Sequence, residues 1–177
     1  MKELLKLSNE ESNKKAREIL CATLLNLMKE KPFKDITITE ISNKSKVSRT
    51  AFYNNYKSKN DLLRDYVLIL NEEILNIIGS PFEKEQSLDL YIRLFTEIYN
   101  RSEEIKLIFD SGFQEEYLKI SNDIILFDDP YVTGKKQSYM ALIWNGGFQN
   151  LMLYWLRNGM KESIEEMALI CFEFFKK

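Results

Sequence analysis

"ITITEISNKSKVSRTAFYNNYKSKNDLL", residues 36–63, holds five basic residues between Glu40 and Asp61 (Lys44, Lys46, Arg49, Lys57 and Lys59) and no acidic one. Its helix signals come in order. Thr37, with Glu40 three positions on, is the reciprocal pattern of a capping box, so a helix starts there with Ile38 and Ile41 turned inward. It should stop near Ser45–Lys46, with Val47 plugging a short turn. Ser48 then suits the N-cap of a further helix, running through Phe52 to about Tyr56. Two short helices joined by such a turn make a helix-turn-helix, about residues 37–56.

The rest of the chain fits around that unit as an all-α protein. Of 177 residues, 45% are apolar and 29% charged, the balance of a globular chain with a core to bury. Only 6 glycines and 3 prolines interrupt it. Ser8 with Glu11 reads as a capping box for the first helix, which Pro32 ends. Ser58 with Asp61 opens a helix that Gly79-Ser80-Pro81 breaks. Ser80, Pro81 and Glu83 then suit the start of another. Helices follow over about 103–110 and 112–126, the loop 127–134 comes next, and a long apolar helix runs from Lys135 to Asn158. Ser163 with Glu166 caps the last one. About nine helices result, in a three-helix N-terminal domain, residues 1–66, and a helical C-terminal domain, residues 67–177.

Charge separates the same two parts. Residues 1–66 carry 14 Lys and Arg against 9 Asp and Glu, while residues 67–177 carry 11 against 18. A basic block on a compact helical unit suits phosphates; a solvated basic face is the plain alternative. A recognition helix must send its N-terminal residues to base edges, and Arg49 stands where a guanidinium can bridge guanine O6 and N7. Thr50, Asn54 and Asn55 lie on nearby turns for bases or phosphates. Ser48, Tyr53, Lys57 and Lys59 are placed to donate to the backbone, which adds salt dependence rather than sequence readout. Phe52 and Tyr56 read as core.

With these residues in view, the stretch 36–63 resembles the DNA-binding region of the tetracycline-repressor (TetR/AcrR) family. The similarity lies in the Thr-capped helix, Ile-Ser at 41–42, Val-Ser at 47–48, Phe-Tyr at 52–53, the aromatic at 56, and Lys-Ser-Lys followed by Asp-Leu-Leu, within residues 12–66. The resemblance implies that Thr37, Thr39, Ser48, Arg49, Thr50, Tyr53, Asn54, Asn55 and Lys59 face double-stranded DNA. It also implies a ligand-sensing C-terminal domain that forms a homodimer through its last two helices. Two positions depart from the pattern: Lys46 stands where a glycine is usual, and Ala51 replaces a threonine. "NGGFQNLMLYWLRNGMKESIEEMA", residues 145–168, resembles the last two helices of one branch of the family.

Dense aromatics in the C-terminal half, among them Phe95, Tyr99, Phe109, Phe113, Tyr117, Tyr139 and Trp144, are candidates for lining a small apolar or aromatic effector, with core packing as the alternative. The last helix is apolar on two faces, which one core cannot cover. Gly146, Gly147, Leu153, Ile164, Met167, Cys171, Phe172 and Phe175 are the candidates for a dimer seam. The chain has no histidine, which excludes His-based acid–base chemistry, and its two cysteines, Cys21 and Cys171, read as buried free thiols. No catalytic residue, metal site or cofactor is expected. Without a run of about 18 apolar residues or a secretory leader, the expected setting is the cytoplasm, off the membrane. The sequence thus reads as a sequence-specific transcriptional regulator, a repressor released from a palindromic operator by an effector. The alternative is a co-regulator on the same scaffold that works mainly through a protein partner.

Overall fold

The computed structural model describes residues 2–83 and 87–175, with side chains from residue 13 onward. Nine α-helices account for the described residues: α1 (Lys2–Glu30), α2 (Ile38–Ser45), α3 (Arg49–Asn55), α4 (Lys59–Ile78), α5 (Leu88–Asn100), α6 (Ser102–Asp110), α7 (Gln114–Asp128), α8 (Lys135–Arg157) and α9 (Ile164–Phe175). A 3-10 turn, Phe33–Asp35, separates α1 from α2. The chain divides into two compact units, Met1–Tyr66 and Val67–Lys177. The side chains of Ser8 and Glu11, expected to cap the first helix, lie outside the described residues.

In the first unit Leu20, Leu24 and Leu27 recur at helical spacing along α1 and are fully buried with Ile41 of α2, Phe52 of α3, and Leu62 and Leu63 of α4. The ends of its helices are fixed by side chains. Thr37 accepts from the Glu40 amide, and the Glu40 carboxylate accepts from the Thr37 amide, so the capping box is complete. Lys46 takes φ 61°, ψ 13°, the left-handed conformation that ends α2. A lysine there costs about 1–2 kcal/mol that a glycine would not. Ser48 caps α3 by accepting from the Ala51 amide at 3.1 Å.

The second unit is held by rings. The Phe95 and Trp155 centroids lie 5.4 Å apart, edge to face, and Trp144 stacks on Phe148 at 5.1 Å. α5 packs along α9, and α7 along α8. The break after α4 differs from expectation. Gly79 turns the chain at φ +80°, but Ser80–Glu83 form turns rather than the start of a helix; the Ser80 hydroxyl accepts from the Phe82 amide at 3.0 Å, as a cap would, and donates to Asp129 at 2.6 Å. α5 starts at Leu88 instead, capped by Ser87. At the other end, Ser163 and Glu166 exchange the hydrogen bonds expected of a capping box.

Candidate nucleic-acid interface

α3 has two unlike sides, set by its spacing. Phe52 points into the core and meets Tyr56, just past the helix end, with ring centroids 5.7 Å apart. Arg49, Thr50, Tyr53 and Asn54, at steps of one, three and one, share the opposite arc and are exposed. Among the described residues, none bonds to or pairs with the Arg49 guanidinium. Tyr53 is 50% exposed, its ring edge-on to Phe52 at 5.6 Å, so its hydroxyl end meets water. Thr39, Ser48 and Lys57 are exposed nearby. Most of the residues singled out by the sequence are therefore exposed, and four of them share one arc of α3.

Three of them are employed otherwise. Lys59 was expected to hold phosphate, yet its ammonium donates to the carbonyls of Phe33 (2.7 Å), Lys34 (2.9 Å) and Ile36 (2.7 Å). An ammonium has three N–H bonds, and all are used. It also lies 4.8 Å from the centroid of the Phe33 ring, and burial lowers its pKa. Lys59 thus ties the start of α4 to the turn before α2. Thr37 gives its hydroxyl proton to Glu40, and Asn55 donates to the Ala51 carbonyl at 2.9 Å on its own helix. Two further lysines of the unit are paired: Lys31 with Glu40, and Lys44 with Glu30.

A second anchor was not legible in the sequence. Asp65 of α4 accepts from Arg17 of α1, through Nε at 3.0 Å and through Nη2, and from the Tyr56 hydroxyl at 2.5 Å. The bond to Asp65 raises the Arg17 pKa, while burial and then Asp65 raise that of Tyr56, so a cation and a neutral phenol share one carboxylate. Lys59 and Asp65 together fasten the first two turns of α4 to α1, α3 and the turn before α2. The buried Cys21 lies beside this cluster, and burial pushes its thiol up to about 12; Cys171 is pushed to about 12 in the same way. Neither is a thiolate near neutral pH.

In the second unit the candidate effector residues separate. Tyr117 and Trp144 line a partly open cavity of about 50 Å³. Phe95 and Phe109 are core rings, Phe113 is half-buried at the start of α7, and Tyr99 and Tyr139 stand half or more exposed. An aromatic repeat at helical spacing suits core and surface alike, which is why these five do not converge. The polar residues that do reach the cavity, Asn71, Ser121, Asn145 and Gln149, were missed. Asn145 and Gln149, four apart in the apolar run of α8, were the available signal.

Most of the seam candidates pack within one chain. Leu153, Met167 and Cys171 are buried within one chain, Phe172 packs on Tyr91 at 6.4 Å, and Phe175 on Trp144 at 6.0 Å. Ile164 is half-buried, as is Gly146, while Gly147 is exposed. The uncovered apolar side chains are others: Ile143 and Tyr154 on α8, and Leu169, Ile170 and Phe174 on α9, the last 77% exposed. α9 directs one stripe at α5 and leaves the other bare.

Comparison with known proteins matches both units and the fold. The family described as "Bacterial regulatory proteins, tetR family" matches residues 20–66, and "Transcriptional regulator C-terminal region", a TetR C-terminal family, matches residues 85–177. A putative TetR-family transcriptional regulator from Syntrophomonas wolfei has a similar fold, with TM-score 0.66, 18% identity and 92% of this chain aligned to 93% of that one. A TetR transcriptional regulator from Streptococcus agalactiae aligns at TM-score 0.66 and 14% identity over 97% and 99% of the two chains. A tetR-family regulator from Streptomyces coelicolor aligns at TM-score 0.58 and 15% identity over 91% and 79%. No curated protein matches the sequence. Among the described residues no helix is long and apolar enough to cross a membrane. With family matches over both units and the fold they imply, the chain belongs to the TetR family of DNA-binding transcriptional regulators.

Proposed function

We propose that this chain is a dimeric repressor that reads a palindromic operator and leaves it when a small effector binds the C-terminal unit. The observation that carries the reading is the exposed arc of α3, with Arg49, Thr50, Tyr53 and Asn54 free of the core while Phe52 is buried on the opposite side. Arg49 supplies base readout, supported by Thr50 and Asn54. Tyr53, Ser48 and Lys57 hold phosphates and set the register. Lys59 and Asp65 act behind that face by fixing where α2 and α3 sit on α4. The homodimer forms through the bare side chains of α8 and α9, led by Phe174, Ile170 and Ile143. Two heads related by a two-fold axis then meet half-sites one turn, about 34 Å, apart.

The test is fluorescence anisotropy on duplexes tiled across the DNA flanking the protein's own gene, with competitor DNA and a salt series. Saturable, competitor-resistant binding to one palindromic tile is the expected result. Weak binding equal on every tile, with no salt dependence, contradicts the reading and favours a scaffold that works through a protein partner.

A further inference from the structure

The cavity of the second unit is small, partly open and neutral. About 50 Å³ lie between α4, α5, α7 and α8, and no charged side chain is among the described residues that line it. Its walls are mostly aliphatic, with the stacked Trp144 and Phe148 on one side. A charged group moved into such a place would lose its hydration with no partner. The lining therefore favours an uncharged ligand over a charged one.

One polar network marks the wall, and its donors can be counted. Asn145 Nδ2 donates to Ser121 Oγ at 2.9 Å and to Asn122 Oδ1 at 2.8 Å, so both its N–H bonds are used. Gln149 Nε2 donates to Ser121 Oγ and, at 3.2 Å, to Asn145 Oδ1, so both of its are used too. Ser121 gives its own proton to the Leu118 carbonyl at 3.1 Å. Turning the Gln149 amide over would set its oxygen against Ser121 Oγ and Asn145 Oδ1, two acceptors, which fixes the orientation. What remains is Gln149 Oε1, an acceptor on a residue 7% exposed, to which no described residue donates and which keeps open surface at the wall. A network complete in donors, with one acceptor left over at a cavity, asks for a donor.

We propose that this cavity binds the effector and selects a small neutral molecule with an apolar or aromatic body and one hydroxyl or N–H group, which donates to Gln149 Oε1. The inference rests on the effector-release reading above and names its ligand class. A one-ring ligand is larger than the present cavity, so the wall must yield. Met152, unbranched and also on the wall, is the side chain suited to that. An outer cleft of about 450 Å³ on the same unit carries Glu72, Asp128 and Asp129, so a cation has a different, acidic place to go.

The test is calorimetric titration of the full chain, without DNA, with phenol, toluene, benzoate and benzylamine. Phenol should bind about tenfold more tightly than toluene, the difference one hydrogen bond makes to a ligand of the same shape. Benzoate and benzylamine should not compete. Gln149→Leu should bring phenol down to the level of toluene, and Met152→Ala should tighten both by enlarging the cavity. The proposal is overturned if phenol binds neither the wild type nor Met152→Ala, if a charged probe binds as tightly, or if Gln149→Leu leaves the phenol-to-toluene ratio unchanged. Phenol bound as expected to a protein that stays on its operator would leave the site standing and remove the effector-release reading.

Discussion

The two units bury their cores by different means, and the difference decides what each can tell. The first fixes its short helices by caps and two polar anchors: Thr37 with Glu40, Ser48, the Lys59 ammonium on three carbonyls, and Asp65 between Arg17 and Tyr56. The second fixes long helices with interleaved rings, Phe95 on Trp155 and Trp144 on Phe148. Polar anchors are directional, so they set the angle of α3 and leave its outer arc free for a partner. Ring packing fills volume, and its functional residues are the polar exceptions within it.

The largest way to break this contrast is in the rings. Phe95→Ala should cost about 3–5 kcal/mol of stability, as a buried phenylalanine does, while Tyr139→Ala, on the surface, should stay within about 0.5 kcal/mol. Thermal unfolding of the two variants would check it; equal effects would put Phe95 outside the core. Next is the bare face of α8 and α9. Arginine at the place of the exposed side chain, Phe174→Arg, should weaken the dimer by about 2 kcal/mol without unfolding the protomer, read by sedimentation.

Lys59→Met sharpens the account of the first unit. Loss of charged hydrogen bonds to carbonyls should lower stability by about 1.5 kcal/mol and leave the salt slope of DNA binding as it was. Lys57→Ala should do the reverse, keeping stability and reducing the slope by about 1. A reduced slope in Lys59→Met would return that ammonium to the phosphates. Lys46→Gly should raise stability by up to about 1 kcal/mol, the relief of the left-handed turn less the extra chain entropy that glycine loses on folding.

The smallest effect is in acid. The Lys31 ammonium, then the Thr37 amide and hydroxyl, hold the Glu40 carboxyl down at about 2, from an ordinary 4.5. A carboxyl depressed in the folded state adds stability above its ordinary pKa and loses it as pH falls from about 4.5 to about 2. Glu40→Gln should therefore lower stability at pH above about 4.5, where the ionised carboxylate contributes, and flatten the curve between about 4.5 and about 2, so that the two proteins converge in acid; unfolding melts across that pH range check it.

Sequence carried the first unit far because its signals are local. A cap and its partner lie three residues apart, so Thr37–Glu40 and Ser48–Ala51 can be read along the chain, and so can the alternation that puts Phe52 inside and Tyr53 outside. Lys59 could not be read this way. Its carbonyl partners lie more than 20 residues upstream, and a lysine at a helix start has the same local pattern whether it meets phosphate or backbone. The second unit was legible as helices but not as a site. Tyr139 and Trp144 look alike in a helical repeat, and only packing sends one to water and the other to the cavity wall. The seam candidates Met167 and Cys171 lie on α9's buried stripe, while the apolar side chains left bare are the neighbouring Ile170 and Phe174, and burial of one stripe against the other depends on packing that spacing does not show.

The central claim is that the outer arc of α3 reads base sequence, and one measurement meets it directly. The wild type and Arg49→Ala are titrated against the operator tile and a scrambled duplex of equal length and charge, at a temperature where both proteins are folded. The account predicts that Arg49→Ala loses about 1–3 kcal/mol on the operator and much less on the scrambled duplex, so that specificity falls. Equal losses on both duplexes, or none on either, would contradict it.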